Sequence, residues 1–202
     1  MGKIMRSTIT SGGNWLGIKQ AGLVSVRDES ERFDWADVYL VLEFQVTGSQ
    51  YTRPCKITGS FEHAADGTIE DGPLLKRITY MCDALGWNGG IDQHGNWLTE
   101  DEKPIEDIGM FLTTNFGNDT PKEDYVIYVY KEKGKNGKTY TRVHNRFMTN
   151  NEHNQKDLQQ YINYMKEKGY IKEVTDDGKA PAANGELPTE VEGVDQIDIA
   201  NL

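Results

Sequence analysis

The chain has 202 residues, 37% of them apolar and 27% charged, with a formal net charge of −10. That length suits one domain, or one domain with an extension, because single cores split only at greater lengths. No run approaches the ~18 apolar residues that spanning a bilayer requires, and Met1 to Arg6 followed by Ser7, Thr8 and Ser11 lacks the apolar centre of a secretory signal, so neither a membrane protein nor an exported one is expected.

Residues 1–14 are small and polar without a period and read as a mobile N-terminal arm, with order expected from Trp15. Every second residue from Val38 to Val46 is apolar, the period of a half-buried strand. Gly48-Ser49 supplies a turn, and Tyr51 to Ile57 reads as the returning strand. Pro54 cannot donate to a ladder, which puts that strand at an edge or at a bulge. Gly72-Pro73 opens a helix whose apolar face is Leu74, Leu75, Ile78, Met81, Cys82 and Leu85, and Gly86 ends it. Residues 87–104 have turn composition and read as a long loop, and Ile108 to Leu112 reads as a short strand. Tyr125 to Lys131 and Tyr140 to Phe147 flank Asn136-Gly137, a strong hairpin signal. Leu158, Tyr161, Ile162 and Met165 mark a last helix ended by Gly169.

The expected class is therefore mainly β, an α+β chain: an OB-type Greek-key β-barrel with one central helix, a long hairpin and a C-terminal helix, spanning residues 15–172. Residues 173–202 read as a disordered acidic tail.

Charge is segregated along the chain. Eight acids against Lys179 alone give residues 173–202 a net of −7, while Lys122 to Arg146 holds seven bases and three acids, a net of +4. If Asn136 and Gly137 are the two central turn residues, Lys131 faces Arg142 and Lys133 faces Tyr140 across the hairpin. One face then carries Ile127, Val129, Lys131, Lys133, Tyr140, Arg142, His144 and Arg146. Cations that track phosphates beside a ring on which a base stacks are what sequence-tolerant single-strand binding needs. Lys131, Lys133, Lys135, Lys138, Tyr140, Arg142 and Arg146 are the primary DNA-binding candidates, with Tyr51 and Arg53 on the returning strand as secondary ones. The opposing reading is a solvated hairpin whose lysines protect its edges.

Other chemistries find little support. Cys55 and Cys82 are far apart and outside any CxxC, as expected of buried thiols in a reducing, cytoplasmic compartment. With His63 and His94 they lack the paired spacing of a zinc site. Gly137-Lys138-Thr139 has Glu132 where a phosphate loop needs glycine. Glu100-Asp101-Glu102 and Glu106-Asp107 are the acids a metal-dependent nuclease would draw on, without a defined base or ligand set. No catalytic residue, metal or cofactor is expected.

Four segments carry a resemblance: Ala84-Leu85-Gly86-Trp87, Glu106-Asp107-Ile108-Gly109, Tyr125-Val126-Ile127-Tyr128-Val129 and Gly137-Lys138-Thr139-Tyr140-Thr141-Arg142-Val143. Across residues 72–147 the chain resembles a family of phage proteins that bind single-stranded DNA. The resemblance implies an OB-type fold and a non-catalytic role in phage DNA replication or recombination, without metal or nucleotide. Replication proteins of this kind often dock partner enzymes through an acidic C-terminus. Here Asp195, Ile197, Asp198, Ile199 and Leu202 are the partner-binding candidates, though the terminal phenylalanine of familiar tails is missing. The expected partners are single-stranded DNA and phage replication or recombination proteins, in the host cytoplasm, with room left for a homo-oligomer. The alternatives are a phage interaction or structural protein without a nucleic-acid role, and a nuclease.

Overall fold

The computed structural model describes residues 15–120 and 122–174. The expected N-terminal arm and nearly all of the expected acidic tail lie outside those residues. In chain order the elements are β1 (Gly17–Asp28), β2 (Val38–Val46), β3 (Thr52–Gly59), β4 (Glu62–His63), β5 (Ile69–Glu70), α1 (Pro73–Leu85), β6 (Gly90–Ile91), β7 (Trp97–Leu98), α2 (Ile108–Phe116), β8 (Tyr125–Lys133), β9 (Thr139–Val143), β10 (Met148–Thr149) and α3 (Glu152–Glu167).

Among the described residues the protein is mainly β with three α-helices, an α+β fold built on one six-stranded antiparallel sheet. Its order runs β3-β2-β1-β8, after which β9 and β10 share the far edge of β8. β10 pairs with Tyr125 and Val126, and β9 with residues 129–133. Two short hairpins, β4-β5 and β6-β7, stand apart from the sheet. Residues 87–104 are thus not one plain loop. Among the described residues no helix is long and apolar enough to cross a membrane.

Alternation drives the burial. Leu40, Leu42 and Phe44 of β2, Cys55 and Ile57 of β3, and Ile127 and Val129 of β8 are fully enclosed in one core with Leu74, Ile78 and Met81 of α1. β8 is buried on both faces, since Val126 and Tyr128 pack on the other side against Leu158 and Ile162 of α3. Each such aliphatic side chain is worth roughly 1.5–3 kcal/mol of burial, so this strand anchors both layers.

β1 is the central strand that periodicity does not reveal. Ala21 and Leu23 face the core, but a bulge at Val24 shifts the phase and Val26 follows them inward. Ile108 to Leu112 forms a helix, not the expected strand. Asp107 caps it, accepting a hydrogen bond from Met110 N at 2.8 Å. α2 seats directly on β1: a Cβ on Gly109 would lie 2.8 Å from Asp28 N and 3.2 Å from Val26 O, and Thr113 Oγ1 donates to Val26 O at 3.0 Å while accepting from Val26 N at 2.8 Å.

The sheet curls but does not close into a barrel. Following the antiparallel pairings round, β3 and β9 run in the same direction on either side of a seam, and no backbone ladder joins them among the described residues. The Cys55 thiol donates to His144 O across it at 3.3 Å. α1 ties the two sides together, with Arg77 Nη1 donating to Thr58 O at 2.7 Å and Thr149 Oγ1 to Ala84 O at 3.1 Å. Cys55 and Cys82 are both buried free thiols. Burial pushes the Cys55 thiol up to about 12, which keeps it a neutral donor.

Candidate nucleic-acid interface

The β8-β9 hairpin is present, but its register differs by one residue from the expected one. Tyr130 pairs with Arg142, Lys131 with Thr141 and Glu132 with Tyr140. The loop holds three residues, not two: Gly137 N donates back to Gly134 O at 2.9 Å, and Gly137 sits at φ +78°, the left-handed position that follows a type I turn in three-residue hairpins. A one-residue slip moves one strand's side chains to the opposite face. Tyr140 and Arg142 therefore share their face with Tyr130 and Glu132, while Lys131 and Lys133 lie opposite, with Thr139 and Thr141. β9 also ends at Val143, so the expected run to Phe147 breaks, and Arg146 leaves the hairpin altogether.

The tip is exposed and basic, with Lys133, Lys135 and Lys138 all open to solvent. On the aromatic face the Arg142 guanidinium lies 5.2 Å from the Tyr140 ring centroid, and Arg142 Nε is 3.5 Å from Glu132 Oε2. Asn136 Nδ2 donates to the Tyr140 hydroxyl at 2.7 Å and so fixes the ring's orientation. Lys131 lies near the end of the described chain, where its carbonyl accepts from Val174 N at 2.9 Å. There Glu173 is held by the Lys166 ammonium and by the Tyr128 hydroxyl, the latter at 2.9 Å. The tail residues Asp195, Ile197, Asp198, Ile199 and Leu202 lie outside the described residues.

Tyr51 and Arg53 come from the other side of the seam. Arg53 precedes Cys55 by two residues, as Arg142 precedes His144, and the Cys55–His144 contact sets the level of the two parallel strands. Arg53 of β3 therefore reaches the same end of the seam as Arg142 of β9 but lies on the face shared with Cys55 and Phe44, whereas Arg142 lies on the opposite face with Tyr130. Tyr51, just ahead of β3, is exposed.

Along the chain from β9, the segment 144–146 leads into a cleft of about 900 Å³ between α1 and α3. Tyr130 lines it, as does Arg146, whose guanidinium lies 4.4 Å from the centroids of both the Tyr80 and the Tyr161 rings. His144 forms part of the wall and is only 7% exposed. Its Nδ1 accepts from Arg146 N at 3.0 Å, so the neutral ring carries its proton on Nε2. Burial first, then the charges of Arg146 and Arg77, pull the imidazole down to about 4. It is a neutral donor at pH 7. Burial raises the Tyr161 phenol despite the pull of Arg146, and takes Tyr130 up to about 12, so both rings stay uncharged beside the cations.

These cleft residues were not legible as a site. Arg77 and Tyr80 lie three apart on α1, as do Tyr161 and Tyr164 on α3, which puts each pair on one helical face. Nothing local says that the two faces meet. A second aromatic platform is equally silent in the sequence: Phe33 stacks on Tyr39 at 4.2 Å, Trp35 packs edge-on to Tyr39 at 6.0 Å, and Lys56 Nζ donates to the Tyr39 hydroxyl at 2.7 Å. Trp35 is 58% exposed there. Among the described residues no group of three histidine, cysteine or acidic side chains is placed to hold a metal ion.

Compared with family models, curated proteins and solved structures, the chain matches none of them.

Proposed function

We propose that this chain is a non-catalytic single-stranded DNA-binding protein of the OB type that coats single strands during phage DNA replication or recombination in the cytoplasm of the host. The observation that carries the reading is the pairing of cations with tyrosines along one path. Arg142 lies against Tyr140 on the hairpin, Arg142 pairs with Tyr130 across it, and Arg146 sits between Tyr80 and Tyr161 where the chain continues. A strand with a phosphate at every step and a flat base at every step needs this combination, and it needs no fixed base sequence.

The strand order supports the OB-type reading. A three-stranded meander, a helix after its third strand, and a hairpin whose first strand returns to β1 while its second approaches β3 is the connectivity of a five-stranded, partly open Greek-key barrel. The net charge of −10 does not oppose this reading, because −7 of it falls in residues 173–202 and the hairpin region is basic. That acidic segment is the proposed docking element for replication or recombination proteins, with Ile197, Ile199 and Leu202 as apolar anchors.

A titration of fluorescent oligothymidylate and of a duplex of equal length, with and without magnesium, tests the reading. Tight binding to the single strand, weaker binding to duplex and intact DNA after incubation are expected. Magnesium-dependent cleavage would make the chain a nuclease, and no binding to either form would leave an interaction or structural protein.

A further inference from the structure

The cleft between α1 and α3 falls within the ~300–1,000 Å³ of small-ligand sites, and its walls present mainly donors and rings. The Arg146 guanidinium carbon lies 4.4 Å from both the Tyr80 and the Tyr161 ring centroids, and its charge is offered to a ligand along its N–H edge. That edge geometry suits a phosphate, which accepts two parallel bonds. No carboxylate pairs with Arg146 among the described residues. His144 adds a second donor. Its Nε2–H has no hydrogen-bond partner among the described residues, and no enclosed side-chain nitrogen or oxygen there lacks one, so this atom opens onto the cleft. Arg77, from α1, supplies further positive charge on the same wall. Tyr170, on the same lining, is 70% exposed and has a ring face open to stacking. Two carboxylates also line the cleft: Asp71, 4.0 Å from Lys76 Nζ, and the exposed Glu62.

We infer that this cleft is a single-nucleotide subsite, in which the Arg146 edge, Arg77 and His144 Nε2–H hold one phosphate and Tyr170 stacks its base. The inference rests on the single-strand reading above and adds to it where the strand is gripped. The hairpin contributes exposed, screened cations, whereas the cleft holds a partly buried arginine that is paired with no carboxylate among the described residues. A phosphate there completes the cleft. The remaining bases stack outside, along Tyr140 and the seam.

The test uses the full chain and two probes. The first is an oligothymidylate carrying 5-iodouracil, photo-crosslinked and mapped by mass spectrometry. The second is thymidine 3′,5′-bisphosphate, titrated calorimetrically against the native protein, Arg146→Gln and Arg146→Lys. Crosslinks at Tyr170 or its cleft neighbour Tyr164 are expected, with saturable bisphosphate binding that Arg146→Gln weakens roughly 5-fold or more and Arg146→Lys partly restores. For the oligonucleotide, Arg146→Gln also flattens the salt slope by roughly 0.7. If the oligonucleotide binds but crosslinks only at Tyr140 or Tyr51, the subsite is wrong and the single-strand reading stands. The subsite is equally wrong if Arg146→Gln lowers the melting temperature without touching affinity, because Arg146 is then only a clip between α1 and α3. If the bisphosphate binds the cleft while no oligonucleotide binds, the subsite stands and the single-strand reading falls.

Discussion

His144 makes the stability of this fold depend on pH in a calculable way. In the folded chain burial, reinforced by Arg146 and Arg77, holds the imidazole at about 4, against an ordinary 6.5. Unfolded, the ring takes a proton as pH falls through 6.5; folded, it resists until about pH 4. Between those values the unfolded chain binds more protons, so the contribution of His144 is complete above pH 6.5 and is lost as pH falls toward 4. The span corresponds to about 3 kcal/mol. His144→Asn is the informative variant, because its amide oxygen can still accept from Arg146 N and it does not titrate. Urea unfolding of both proteins from pH 7.5 to pH 4 is the assay. The native chain should lose about 3 kcal/mol more than the variant over that range. Parallel stability curves would mean that His144 is not held neutral against the cleft, and the donor assigned to its Nε2 would go with it.

Four further outcomes are expected. Replacing Lys133, Lys135, Lys138 and Arg142 together with glutamine should flatten the log-log salt dependence of single-strand affinity by roughly 0.7 per lost phosphate contact, as measured by anisotropy titration. Tyr140→Ala should cost about 1–3 kcal/mol of binding with little change in melting temperature, because the ring is on the exposed face of the hairpin; a lower melting temperature with unchanged affinity would return Tyr140 to a structural role. Truncation after Val174 removes seven acids and one lysine. It should raise DNA affinity most at low salt, where a tethered polyanion competes best, and should abolish capture of a phage polymerase, helicase or recombinase. Gly109→Ala should destabilise the fold by about 1–3 kcal/mol because its Cβ meets Asp28 N and Val26 O, and an unchanged melting curve would contradict the seat of α2 on β1.

What the sequence made legible was what repeats locally. β2 and α1 show their periods directly, and Leu74, Ile78, Met81, Cys82 and Leu85 are all buried. β8 showed as an apolar run because both its faces are covered. β1 did not show, since Gly17 and Gly22 dilute its apolar content and the bulge at Val24 breaks the alternation that a strand reading depends on. Ile108 to Leu112 is too short for its period to separate helix from strand, and the Asp107 cap decides the matter.

The hairpin register turned on one residue. Asn136-Gly137 signals a two-residue loop, but Gly134 and Gly137 together permit a three-residue one, and that single step separates Tyr140 from Lys131 and Lys133. The candidate site was legible in its charges and not in its shape. The sequence places Arg146 beside Arg142 and Tyr140 on the hairpin, whereas its partners in the fold are Tyr80 and Tyr161, each on a separate helix. Contacts of that kind arise only when α1 and α3 are packed on either side of the β9–β10 break.

The central claim is that the described domain binds single strands through cations set among tyrosines. The most direct measurement is the affinity of the full chain for an oligothymidylate across a salt series. Saturable binding at low salt should weaken linearly in log-log form, by roughly 0.7 per neutralised phosphate, with a total slope of several such increments. Tyrosine fluorescence should be quenched in step. Absence of binding at low salt, or binding indifferent to salt, would contradict the claim.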